Sequence, residues 1–252
     1  MPDFTRIPSW RSTRSRTIAI VLGTALATAC SQSHVAPSED HAKGPVTSLA
    51  SRSGDRHGDL HPGLADASVA AAAKTNAACS VELYGDSILH GGYLGDKRLD
   101  EAPAAAIRRM RPRYHVVDRS VNGETASARS AAFANEARSG RIVVIEHGLN
   151  DAMQNLPLES ALRSMVSTAR AEGRDVVLTG LSQTLAGADV RARGDATVRR
   201  VTADLAVPFA DWGSVPMRRG EMADILHPSQ AYSTRLVERL IKVLDNLAPE
   251  CA

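Results

Sequence analysis

Between Cys79 and Ala252, short aliphatic runs alternate with segments whose apolar residues recur at helical spacing, and this alternation narrows the choice of fold most. Strands are expected at 81–84, 114–118, 141–146, 175–179 and 207–211, and helices at 102–110, 124–137 and 189–205. Another helix should follow Pro157, whose fixed φ suits a first turn, because Leu158, Leu162, Met165, Val166 and Ala169 share one face. In a last helix, Leu236, Val237, Leu240, Ile241, Val243, Leu244 and Leu247 form the apolar stripe, with Glu238 and Lys242 spaced to pair outside. Strand followed by helix, five times over, predicts a three-layer α/β/α domain around a five-stranded parallel sheet. The 174 residues from 79 to 252 can bury about 70% of the surface of the unfolded chain. Such sheets bind ligands at the carboxyl ends of their strands, so the residues just after each strand carry the functional information.

Four clusters stand there. Gly85-Asp86-Ser87 follows the first strand, Asn122-Gly123-Glu124-Thr125 the second and Gly148-Leu149-Asn150-Asp151 the third. Asp224-Ile225-Leu226-His227-Pro228 lies between the fifth strand and the last helix. Each alone reads as a capped turn or an Asx turn; a Gly-Asp-Ser triplet arises by chance in roughly one chain in twenty of this size. Together, in order, they describe one chemistry. A serine hydroxyl is a weak nucleophile and needs a base within hydrogen-bond reach. The Asp224-x-x-His227 spacing lets the carboxylate bind Nδ1–H and leaves Nε2 for Ser87. Gly123 lets a backbone N–H approach a reacting carbon with no Cβ in the way, and Asn150 offers an amide donor. With the Ser87 N–H these make a three-donor oxyanion hole.

The four blocks resemble those of the SGNH, or GDSL, hydrolases, a family named for a Ser, a Gly, an Asn and a His. The resemblance spans residues 80–248. It implies a flavodoxin-like sheet and a serine esterase with Ser87 as nucleophile, His227 as base and Asp224 as acid. Ser87, Gly123 and Asn150 would be the oxyanion donors, with no metal or organic cofactor. Ile88 separates the Gly-Asp-Ser triplet from Leu89, so the four-letter string is not literal. The chain has no Gly-x-Ser-x-Gly elbow, which argues against an ordinary α/β-hydrolase. Family substrates include lysophospholipids, short acyl esters, thioesters and acetylated polysaccharides, so a small-molecule, glycan or lipid ester is implied without a choice among them. An acyltransferase acting on a sugar hydroxyl and a non-catalytic surface binding module are the alternatives.

Other residues near these blocks have plainer readings. His147, beside Asn150, is a second candidate base but lacks a carboxylate at matching spacing. His90 and Tyr93 either line the pocket or cover it, and Arg218-Arg219 is either a solvated pair or a contact for an anionic substrate. Asp86 reads as structural. With 174 residues there is no room for a large lid or a separate binding domain, which predicts an open site whose specificity is set by loops 88–101, 152–157, 184–189 and 213–223; a monomer is expected.

The rest of the chain bears on location. Residues 1–29 read as a signal peptide, with Arg6, Arg11, Arg14 and Arg16 ahead of a 12-residue apolar run at 17–28. A membrane span needs about 20 apolar residues, so this run is short for one. Ala27-Thr28-Ala29-Cys30 suits ordinary cleavage, and also a lipobox in which Cys30 is lipidated. Lipidation of Cys30 would leave Cys79 and Cys251, an even pair flanking the domain, either bridged or as two free thiols. Residues 30–78 read as a flexible tether, and its scattered His34, His41, His57 and His61 do not have the spacing of metal ligands. The expectation is an exported protein, anchored to a membrane through lipid if Cys30 is acylated. Removing residues 1–29 takes the net charge from +2 to −1, which gives no basic face for nucleic acid.

Overall fold

The computed structural model describes residues 77–252. The expected leader, Cys30 and the tether through residue 76 lie outside the described residues. Five strands form one sheet: β1 (Ser80–Gly85), β4 (His115–Asp118), β5 (Ile142–Glu146), β6 (Asp175–Thr179) and β7 (Phe209–Ala210). A small hairpin, β2 (Gly92–Tyr93) and β3 (Lys97–Arg98), stands apart from it. The helices are α1 (Ser87–His90), α2 (Pro103–Met110), α3 (Ala126–Phe133), α4 (Leu149–Gln154), α5 (Leu158–Ala171), α6 (Ala188–Asp204) and α7 (Gln230–Leu247).

The sheet order is β4-β1-β5-β6-β7, and every pairing is parallel. In chain order that is 2-1-3-4-5, the flavodoxin-like arrangement. Its switch point lies between β1 and β5, where the chain reverses its direction of travel across the sheet and opens a crevice at the strand ends. Period-2 alternation in the strands feeds two apolar layers. Ile142 and Val144 pack with Val81, Leu83, Ile107, Leu236 and Leu240 on one face. Val143 and Ile145 pack with Tyr84, Phe133, Leu162, Met165 and Val198 on the other. Both faces of β5 are therefore apolar, as an interior strand of a doubly covered parallel sheet requires.

Several boundaries move for local reasons. The helix expected at 124–137 begins only at Ala126, because Thr125 Oγ1 accepts the Ala128 N–H at 3.1 Å and caps it. The strand expected at 207–211 shortens to Phe209–Ala210: Pro208 has no N–H to give a ladder, and Asp211 turns the chain by accepting the Ser214 N–H at 3.0 Å. The β2–β3 hairpin and α4 were not anticipated. In α7, Val243 and Leu247 are only partly buried, and no Glu238–Lys242 ion pair forms among the described residues. Both side chains are exposed, where an i,i+4 pair gains little over hydration. Cys79, just ahead of β1, is disulfide-bonded to Cys251, with the Cα atoms 5.6 Å apart. No helix among the described residues is long and apolar enough to cross a membrane.

Candidate active site

The turn after β1 puts Ser87 at the first position of α1. Asp86 caps that helix, its Oδ1 accepting the Ile88 N–H at 2.9 Å. Gly85 is forced by a close approach: a Cβ there would stand 2.7 Å from Glu146 Oε2 and 2.8 Å from both Glu146 O and Leu89 Cβ. The turn can therefore sit against the end of β5 only without a side chain at this position.

The Asp224–His227 segment is a tight loop, closed by a bridge between Met222 and Pro228 and by Ala223 N–H donating to His227 O at 2.9 Å. Inside it, His227 Nδ1 lies 2.7 Å from Asp224 Oδ2, and His227 Nε2 lies 2.9 Å from Ser87 Oγ. The structure thus brings Ser87, His227 and Asp224 into one hydrogen-bonded line across 140 residues of sequence. Burial works to raise the Asp224 pKa, but the N–H groups of Leu226 and His227, the His227 ring and the Leu94 N–H outweigh it and hold the carboxyl at about 2. Asp224 stays an anion at neutral pH, which favours an Nδ1–H tautomer with Nε2 free to accept the serine proton.

A cavity of about 200 Å³ opens on this line, bounded by Ser87, Gly123, Asn150 and His227 together with Tyr93 and Asn122. All four sequence blocks therefore meet at one place, at the β1/β5 switch point. Gly123 has φ +75°, and no protein atom lies within 4 Å of where its Cβ would stand. Within the protein the glycine answers a left-handed backbone, where the sequence argument had stressed clearance. Asn150 Nδ2 donates to Glu124 O at 3.0 Å and to Asp86 Oδ2 at 3.2 Å, so the amide is oriented by both neighbouring loops.

The secondary candidates separate. Tyr93 lines the cavity, while His90 does not and leaves its buried Nδ1 without a partner. His147 does have a carboxylate, contrary to the sequence expectation. Glu124 Oε2, from the loop after β4, lies 3.0 Å from its Nε2. Sequence spacing could not find a partner that arrives from another strand end. His147 is 1% exposed and does not border the cavity. Arg218 and Arg219 are exposed and do not line it either. Of the four loops expected to set specificity, only 88–101 reaches this cavity, joined by Asn122 and Leu226. Asn122 was read only as part of a turn, and the Leu94 N–H that donates to Asp224 Oδ2 at 3.1 Å gave no sequence signal, being a backbone group.

Residues 83–233 match the family described as GDSL-like Lipase/Acylhydrolase. Esterase TesA of Pseudomonas aeruginosa is 33% identical over 146 residues, covering 53% of this chain and 71% of that protein. A crystal structure of TesA superposes with a TM-score of 0.56 at 28% identity, over 67% of this chain and 99% of that one. The psychrotrophic esterase EstA from Pseudoalteromonas sp., solved inhibited by monoethylphosphonate, gives a TM-score of 0.57 at 14% identity, over 67% and 98%.

Proposed function

Because the chain belongs to the GDSL-like lipase/acylhydrolase family and is a carboxylic ester hydrolase, we propose that it cleaves its ester through an acyl-enzyme on Ser87. The observation that carries this reading is the Ser87–His227–Asp224 line opening on a single cavity. His227 Nε2 takes the Ser87 proton as Oγ attacks the carbonyl carbon, and Asp224 stabilises the imidazolium that forms. The tetrahedral oxyanion is held by the N–H groups of Ser87 and Gly123 and by the Asn150 amide, which Glu124 O and Asp86 Oδ2 orient. His227 returns the proton to the leaving alcohol or thiol. Water then repeats the cycle and frees the acid.

The surroundings favour an ester with an apolar group. Leu94, Val121, Met153, Leu156, Leu185 and Ile225 are all exposed large apolar side chains, and each lies on a loop or helix that follows the carboxyl end of a sheet strand. Leu185 and Ile225 are neighbours, since the Leu185 N–H donates to Ile225 O at 2.9 Å. Among the described residues only Val117, on the edge strand β4, is an exposed large apolar side chain placed otherwise. The others stand on the loops and helices that follow the strand ends carrying Ser87, and exposed apolar surface on that side suits an apolar acyl group. The Cys79–Cys251 disulfide and the basic, apolar leader fit an exported protein, with Cys30 as the point of lipid attachment.

Hydrolysis of p-nitrophenyl esters from acetate to palmitate, with Ser87→Ala beside the parent, tests the reading. Turnover that rises with acyl length and vanishes in the variant is expected. A folded protein that turns over none of the series, or a Ser87→Ala variant that keeps its rate, would sink the Ser87 mechanism.

A further inference from the structure

Two buried acids next to the site are not used by this mechanism. Asp86 and Glu146 are 0% and 1% exposed, at the ends of the adjacent strands β1 and β5, where Gly85 and Glu146 stand in register. Glu146 folds its carboxyl over Gly85, into the space a side chain would need there. From that position Glu146 Oε2 accepts the Asp86 N–H at 3.2 Å, which sets the two buried carboxyl groups beside each other. Neither acid forms an ion pair with Lys or Arg among the described residues. Two carboxylates in contact, dry and without a cation, do not both ionise; the pair keeps a proton.

The surroundings decide which acid holds it. Burial pushes the Asp86 acid up to about 6. The Ile88 N–H at 2.9 Å and the rings of His147, itself paired with Glu124, and His227, paired with Asp224, keep it from rising further, so that it is an anion at neutral pH; the Asn150 amide donates to it at 3.2 Å. The Glu146 carboxyl receives one hydrogen bond among the described residues, from the Asp86 N–H, and burial together with the Asp86 charge pushes its acid well above the usual carboxylate range. We propose that Glu146 is a positioning residue: as a neutral acid it donates to Asp86, so that the Asp86 anion can hold both the first turn of α1 at Ser87 and the amide of Asn150. One buried proton then links the nucleophile's backbone to the oxyanion donor. The kinetic consequence rests on the esterase reading; the protonation itself does not.

Two measurements on the whole protein test this. The ¹³C carboxyl resonance of Glu146, assigned by its loss in Glu146→Gln, should stay at the position of a protonated acid from pH 5 to 8. An ionised resonance at pH 7 overturns the proposal whatever the enzyme turns over. On a p-nitrophenyl ester, Glu146→Ala should lower kcat by about 10²-fold with little change in KM, the scale expected of a misplaced catalytic group. Glu146→Gln, a neutral donor of the same shape, should restore most of that loss. A Gln variant as slow as the Ala variant, with both melting like the parent, overturns the proposal. If Glu146→Ala does not fold, the resonance and the Gln variant still decide. If the parent itself is inactive, the esterase reading fails and the resonance alone rules on the proton.

Discussion

The two ends of β1 use the same kind of residue in opposite ways. Toward its amino end, Glu82 is fully buried and saturated with donors: Ser139 N–H at 2.7 Å, Gly140 N–H at 2.9 Å, the Ser139 and Tyr84 hydroxyls at 2.9 Å, and Arg119 Nε at 3.1 Å. Burial works to raise its pKa, yet these donors outweigh it and hold the carboxyl at about 2. Six residues on from Cys79, at the carboxyl end, the strand turns into Gly85, Asp86 and Ser87, and there the neighbouring Glu146 has burial without a cation. A buried acid is thus ionised or neutral according to its donors, not its depth. The amino end, tied by the Cys79–Cys251 disulfide, is built to hold. The carboxyl end is built to keep polar groups incompletely satisfied and in reach of substrate.

If that division is right, changes at the two ends should separate activity from stability. The largest effect belongs to Ser87→Ala, which should lower kcat by about 10⁶-fold, the scale seen when a nucleophile of this kind is removed. Its melting temperature should match the parent's, because Ser87 spends its side chain on His227 alone. A variant that melts well below the parent would show the serine to be part of the frame. Next comes Asp224→Asn, expected to cost about 10⁴-fold in kcat by favouring the wrong His227 tautomer. Steady-state kinetics at constant KM would bear that out, and a loss confined to KM would not. Asn150→Ala should cost less, about 10²–10³-fold in kcat.

Most of the fold and the four blocks of the site could be read from the chain, and the part that could not has a physical cause. The alternation of Ile142, Val143, Val144 and Ile145 fixes a strand covered on both faces. The stripe of Leu236, Leu240 and Leu244 fixes the last helix, since both signals are local and periodic. The four blocks were legible because a strand end is a short stretch of sequence. Relations between strand ends were not. Glu124 reaches His147, Glu146 reaches Asp86 and Leu94 reaches Asp224 only after the sheet has assembled and brought its strand ends to one edge. Asp86 looked merely structural because a capping aspartate carries the same letter whether or not a second acid leans on it.

At the amino end the next test is the disulfide. Its sequence separation is 172 residues, so it constrains nearly the whole domain in the unfolded chain. Replacing both Cys79 and Cys251 by Ala should lower stability by about 2–5 kcal/mol while kcat stays at the parent value. Urea unfolding read beside ester turnover measures the two quantities on one sample. A fall in kcat without a fall in stability would reverse the assignment of roles to the two ends.

The smallest effect is also the sharpest, because it has opposite signs at the two acids. Glu82 has a folded pKa of about 2 against an ordinary value of 4.5. The stability it contributes is therefore complete above pH 4.5 and is lost as pH falls toward 2, an effect of about 3 kcal/mol. Glu146 runs the other way. Its folded pKa lies above 4.5, so the unfolded chain ionises it first, and stability is lost as pH rises from about 4.5 toward the folded value. Melting temperature recorded from pH 2.5 to 9 should show both limbs in the parent. Glu82→Gln should flatten the acid limb while lowering the plateau, because an amide cannot serve Arg119 as a carboxylate does. Glu146→Gln should shrink the alkaline limb, to which the raised Asp86 acid also contributes, and leave the acid one alone. Two variants that changed the same limb would mean that the two acids sit in one electrostatic environment, and the contrast between the ends of β1 would then have to come from something other than the supply of donors.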